Sequence, residues 1–254
     1  MSLSLWFPHG NGRATKILIA AEFAGIQVEH KHIGYENLKT PEHTARHPFG
    51  KVPVLETPEG PIFESFAILR YIARKSNTLY GKNAWQTAQI ENWLNLVLSE
   101  LDPYLSAYVM ATAGHEPVTK ERFGQITKVL KEWTKSFDEY IKEKTYVVDN
   151  EISIADIAVA SYYYWLYRLL FDEKARSQYT NVTQWYERIS STQQFQNVLG
   201  KTWYAQKEYT PLVFAEEEEK KVAPKAEKPK AEKAEKTEKA EKPKAEKKAQ
   251  QPKE

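Results

Sequence analysis

The sequence predicts a two-domain fold, a small α+β domain followed by an all-α domain, and then a tail that cannot build a core. Three observations predict it. Strand-like runs occur only in the first quarter of the 254-residue chain. From Trp85 to Val198 the apolar residues recur with helical period. From Glu216 onward the last 39 residues hold 13 Lys, 11 Glu, seven Ala, four Pro and no aromatic.

Removing that tail from the chain's 36 Lys+Arg and 34 Asp+Glu leaves 23 of each sign over 215 residues. The body is formally neutral, and the net +2 belongs to the tail. All seven Trp, fifteen Tyr and ten Phe lie in the body, ample material for a packed core.

Residues 3–7 (Leu-Ser-Leu-Trp-Phe) form the first strand, ended by the turn residues Pro8, His9, Gly10, Asn11 and Gly12. Ile17, Leu18, Ala21 and Ala24 then mark one face of a helix that stops at Gly25. Val28, His30 and Ile33 suggest a second strand, which closes a βαβ unit. A polar stretch with Pro41 and Pro48 holds a short helix or loop.

Residues 51–56 and 61–65 form a hairpin, with Pro58 suited to position i+1 of its turn and Gly60 to i+3. Pro53 removes a ladder donor from the first of these strands. Two readings stay open: a cis bond before Pro53 at a functional strand end, or an edge strand. Ser65 is placed to cap the next helix, Phe66 to Arg74.

The domain boundaries follow: 1–75, a polar linker at 76–84, a helical domain at 85–215 and the tail at 216–254. Four helical stretches fill the second domain: 85–108, 119–142, 153–171 and 182–198, with Pro103 expected to interrupt the first. Ser153 and Asp156 have the spacing of a capping box, flanked by Ile152 and Ile157 as a hydrophobic staple. Their role is read as structural.

The tail repeats Ala-Glu-Lys, has one apolar side chain larger than alanine (Val222), and reads as a disordered spacer. Its Lys and Glu alternate without Arg or aromatics, which argues against a nucleic-acid arm.

Zero cysteine excludes a disulfide scaffold, thiolate zinc sites, Fe–S clusters and a cysteine nucleophile. Neither a secretory signal nor an apolar run of about eighteen residues is present, so a soluble, cytoplasmic protein without a membrane partner is expected. No metal is expected. His30 and His32 lack a third ligand, while His43 and His47 are spaced i,i+4 without an intervening Glu motif and read as a surface helix. Gly10 and Gly12 lack the third glycine of a dinucleotide fingerprint.

Val52-Pro53, Glu64-Ser65 and the Ser153–Asp156 box resemble the cytosolic glutathione S-transferases over residues 3–205. Residues 13–21, 154–167 and 183–200 resemble, within that superfamily, the γ-subunit family of eukaryotic translation elongation factor 1. The resemblance implies a thioredoxin-like N-terminal domain and an all-helical, transferase-like C-terminal domain. That family continues past a Lys-rich linker into a further domain, whereas this sequence ends inside the linker, so functions of that domain do not carry over.

The resemblance also implies a glutathione pocket formed by Lys51, Val52, Pro53, Glu64 and Ser65. Ser65 and backbone N–H groups at the helix start would hold a carboxylate. Glu64 would pair with an α-amino group, Val52 would offer backbone bonds, and Lys51 would meet a terminal carboxylate. One at a time, Glu64 and Ser65 read equally as helix-capping residues and Pro53 as a turn residue.

A transferase must stabilise the ligand's thiolate, which the resembled family does with a hydroxyl donor, or sometimes a cysteine, at the first strand–helix turn. Here residues 7–13 contain no Ser, Thr, Tyr or Cys. His9 and Asn11 remain as donors and Arg13 as an electrostatic aid. The expectation is therefore a non-catalytic scaffold that requires no cofactor and has glutathione as its candidate ligand. The resemblance implies that its partner would be the nucleotide-exchange subunit of elongation factor 1, with other members of that complex, and that it would thereby support recycling of the aminoacyl-tRNA-delivering GTPase. The helical-domain surface is the expected partner face, and the first-domain helices that of a homodimer. The alternative is a glutathione S-transferase acting on electrophiles, with weak or vestigial turnover.

Overall fold

The structure is a computed structural model that describes residues 3–216. The Lys/Glu tail beyond Glu216, and with it the expected disordered spacer, lies outside the described residues.

The first half runs β1 (Leu3–Phe7), α1 (Gly12–Ala24), β2 (Val28–His32), α2 (Pro41–Arg46), β3 (Val54–Thr57), β4 (Gly60–Phe63) and α3 (Ser65–Ser76). The sheet order is β2-β1-β3-β4. β1 pairs parallel to β2, with Leu3 opposite Val28, and antiparallel to β3, with Leu5 opposite Leu55. The parallel pair requires a crossover, which α1 supplies. Gly25 ends α1 at φ 64°, a left-handed cap that glycine adopts without a Cβ penalty. The hairpin turn closes with Thr57 opposite Gly60, with Pro58 and Glu59 between them. α1 and α3 pack together, burying Ile17, Leu69 and Ile72.

The second half comprises α4 (Ala84–Leu96), α5 (Asp102–Thr112), α6 (Lys120–Ile141), α7 (Ile154–Leu169), α8 (Glu173–Arg176), α9 (Thr180–Ser190) and α10 (Gln193–Leu199). A single π turn, Val97–Leu101, joins α4 to α5, and Pro103 stands in the first turn of α5. Proline cannot donate inside a helix, so the hydrogen-bond ladder resets there. The stretch 182–198 is likewise two helices, because Thr192 accepts from the Phe195 N–H at 3.3 Å and starts α10.

α7 is the central helix, buried on every side from Ile154 to Tyr164. Asp156 is fully buried and accepts four bonds: from the Val147 N–H at 2.7 Å, the Ser153 N–H at 3.0 Å, the Ser153 hydroxyl at 2.9 Å and Trp185 Nε1–H at 3.2 Å. The capping box therefore satisfies the start of α7 and also ties it to α9 and to the loop after α6. An aromatic cluster centred on Phe137 (Trp93, Trp133, Tyr163, Trp185) fills the space between α4, α6, α7 and α9.

Two features carry no sequence signal. The linker 76–84 is anchored: Leu79 is buried, and its carbonyl accepts from the Ile154 N–H at 3.0 Å. Residues 200–216 return across the helices through Ala205 N–H to the Tyr167 carbonyl (2.9 Å) and Tyr209 N–H to the Leu169 carbonyl (2.7 Å). No helix among the described residues is long and apolar enough to cross a membrane.

Candidate functional site

Lys51, Val52, Pro53, Glu64 and Ser65 all line one cavity of about 170 Å³, with Arg13, His47, Phe66, Leu98 and Asp102. Three local devices bring them there. The Val52–Pro53 bond is cis, and Pro53 stands just before β3, outside its ladder. Gly50, at φ 58°, allows the turn before Lys51; a Cβ there would stand 2.2 Å from the Leu38 carbonyl oxygen. Glu64 also adopts a positive φ, 68°, immediately before α3.

That last feature corrects the expected cap. Ser65 is the first residue of α3, and Glu64 occupies the N-cap position without a side-chain capping bond. The left-handed turn at Glu64 moves Ser65 one place into the helix, where its buried side chain belongs to the cavity wall.

The turn after β1 separates the three candidate catalytic residues. Asn11 is the N-cap of α1: its Oδ1 accepts from the N–H groups of Arg13 (3.1 Å) and Ala14 (3.0 Å). Its side-chain oxygen is thus committed to the helix. His9 is exposed, stacks on His32 with ring centroids 4.3 Å apart, and lines neither cavity described here. Arg13 reaches the site and donates from Nη2 to Asp102 Oδ2 at 2.8 Å. Burial works against its charge, but the bond and charge of Asp102 win and raise its pKa. Thr15 donates to the Gly12 carbonyl at 2.7 Å, inside the helix.

Asp102 is the hinge of this region. Its second oxygen accepts from the Tyr162 hydroxyl at 2.6 Å, so one carboxylate holds α1, α5 and α7 together. Burial first, and then the Asp102 charge, push the Tyr162 phenol well above its ordinary range. Beyond Arg13 and Asp102 opens a second cleft of about 250 Å³, walled by Tyr35, Leu105, Met110 and Trp165.

Lys16 lies directly behind. It is 1% exposed, with its ammonium 4.7 Å from the Phe66 ring centroid and 5.6 Å from that of Tyr162. Burial lowers its pKa to about 7, with Asp102 opposing the shift and Arg13 adding to it.

The histidines of α2 correct a further expectation. His43 and His47 do not face solvent; both are buried. His43 Nε2 contacts the Lys51 carbonyl oxygen at 3.0 Å, and His47 packs on Phe63 with centroids 4.6 Å apart. Their spacing serves the fold of the 47–51 turn. The signal that would have found them is the His47-Pro48-Phe49-Gly50 turn running straight into Lys51. Asp102 had only the Asp-Pro start of α5, and nothing local connected it with Arg13.

A thioredoxin-like sheet joined to a helical bundle, with a cis-proline cavity beside the seam, defines a glutathione S-transferase-like protein. Residues 1–74 match the family described as Glutathione S-transferase, N-terminal domain, and residues 97–193 the one described as Glutathione S-transferase, C-terminal domain. The chain belongs to this family. Poplar glutathione transferase F1 covers it at TM-score 0.71 with 21% identity, over 78% of this chain and 97% of that one. A theta class glutathione S-transferase from Xanthomonas axonopodis pv. citri, with glutathione bound, gives 0.70 and 20%, over 81% and 99%. At such identity these two show the fold alone.

Sequence relatives are more specific. Elongation factor 1-gamma 1 of Oryza sativa subsp. japonica is 33% identical over 235 residues, 91% of this chain and 54% of the relative. Elongation factor 1-gamma of Homo sapiens is 32% identical over 227 residues, 86% and 51%. The chain is thus a homologue of elongation factor 1-gamma proteins and spans about half the length of the curated relatives it matches.

Proposed function

We propose that the chain works as a non-catalytic scaffold of the translation elongation factor 1 complex. In this reading the transferase-like body binds the nucleotide-exchange subunit through its helical-domain surface and a second copy through its first-domain helices. It supports recharging of the GTPase that delivers aminoacyl-tRNA without itself exchanging nucleotide. The observation that carries the reading is the likeness to elongation factor 1-gamma along 91% of the chain. It is supported by a first turn whose Asn11 oxygen is spent on the helix and whose Arg13 is paired with Asp102. The test is a pull-down of the whole chain with purified exchange subunit. Stoichiometric retention is expected, and no retention at micromolar concentrations overturns the proposal.

A second reading concerns the cavity. Lys51, Val52, Glu64 and Ser65 converge on one wall, with donors and an acceptor suited to a small zwitterionic thiol peptide. This favours glutathione binding at that wall, with slow turnover at most.

A further inference from the structure

We propose that His47 is a ligand-recognition residue of this cavity, donating from Nε2 to the peptide carboxylate that Lys51 attracts. The proposal rests on the glutathione-binding reading and deepens it.

The argument begins with the tautomer. His47 ends α2, and its backbone N–H is used by the His43 carbonyl at 2.9 Å. Its ring nitrogen Nδ1 accepts the Phe49 N–H at 3.2 Å. A nitrogen that accepts a backbone N–H carries no proton, so in the neutral ring the proton is on Nε2. Burial lowers the imidazole pKa, His43 and Lys51 lower it further and Glu64 opposes them, which keeps the ring neutral near pH 7.

The side chain is 2% exposed, lines the cavity wall, and packs on Phe63. Among the described residues Nε2–H has no acceptor. It is open to the cavity, so an acceptor arriving with a ligand takes the place of solvent there. Glu64 repels a carboxylate and Lys51 attracts one, so the acceptor matched to this donor is the ligand carboxylate on the Lys51 side. A tight turn, with the Gly50 N–H on the His47 carbonyl at 2.8 Å, keeps His47 and Lys51 together.

The test separates the two ring nitrogens. In His47→Asn the amide oxygen stands where Nδ1 was and keeps the Phe49 bond, but the donor at Nε2 is lost. In His47→Gln the amide nitrogen stands near Nε2 and the Nδ1 acceptor is lost. Glutathione and its glycine ethyl ester are titrated calorimetrically into the whole chain and both variants, with thermal melts as a folding control.

The expected result is about tenfold weaker glutathione binding in His47→Asn, with His47→Gln within about threefold of the parent. The ester, already weakened in the parent, should lose little more in His47→Asn. Parent binding with an unchanged His47→Asn variant overturns the role of His47 alone, as does a proportional loss for peptide and ester. No binding by the parent overturns the cavity reading and this proposal together.

Discussion

Lys16 is the least expected charge in the molecule, and replacing it gives a prediction whose size follows from the structure. Its ammonium is sealed between Phe66 and Tyr162, and its pKa falls from 10.5 to about 7. Between those values the unfolded chain holds the proton and the folded chain has released it. Stability must therefore rise with pH through this window, and the burial penalty is greatest below pH 7. At about 1.4 kcal/mol per unit, the penalty is about 4 kcal/mol at pH 7 and about 2 kcal/mol at pH 9.

Lys16→Met keeps an unbranched stem in the same space and removes the charge. Urea denaturation followed by tryptophan emission should show the variant more stable than the parent at pH 7. The gap should narrow by about 2 kcal/mol at pH 9. A gap that stays constant, or a variant weaker at both values, would refute the buried-charge reasoning. It would mean instead that the ammonium is solvated, or that its ring contacts outweigh its desolvation.

Two further perturbations test other parts of the structure. Asp156→Ala strips the acceptor from four buried donors at once and should cost about 3–5 kcal/mol in the same urea experiment; a loss below about 1 kcal/mol would show that the start of α7 is satisfied by other means. Asn11→Ser keeps a good N-cap and places a hydroxyl at the turn, so conjugation of glutathione to an electrophilic aromatic substrate should rise about tenfold at unchanged Tm. An unchanged rate would show that the missing hydroxyl is not what limits turnover.

The local features of the fold were legible because their causes are local. Pro58 and Gly60 specify a hairpin turn, Gly25 stops α1, and Ser153 with Asp156 starts α7, each within a few residues. Pro103 marked the break between α4 and α5 for the same reason. What stayed hidden depends on partners far away in sequence. Lys16 looks like a surface lysine until α3 and α7 close over it with Phe66 and Tyr162. His43 and His47 share a helical face with charged neighbours, so periodicity could not show that β4 and the Lys51 loop cover them. Ser65 was displaced from its cap by a left-handed residue at a position where sequence preference does not ask for glycine.

The seam between the two halves explains how such a cavity can persist without any catalytic demand on it. Arg13 belongs to the thioredoxin-like half, Asp102 and Tyr162 to the helical half, and one carboxylate joins all three. Arg13 and Asp102 also close one side of the cavity and open the next cleft. Gly12 lies against the same seam: a Cβ on it would come within 3.1 Å of Trp165 Nε1. Removing Asp102 would leave the Arg13 guanidinium and the Tyr162 hydroxyl without their acceptor and take from Lys16 the anion that offsets its burial. Selection for a firm joint between the halves is then enough to hold this side of the cavity in place, whether or not a thiol is ever turned over there. Asn11 caps α1 as well as serine would, so the start of α1 makes no demand for a hydroxyl at the first turn.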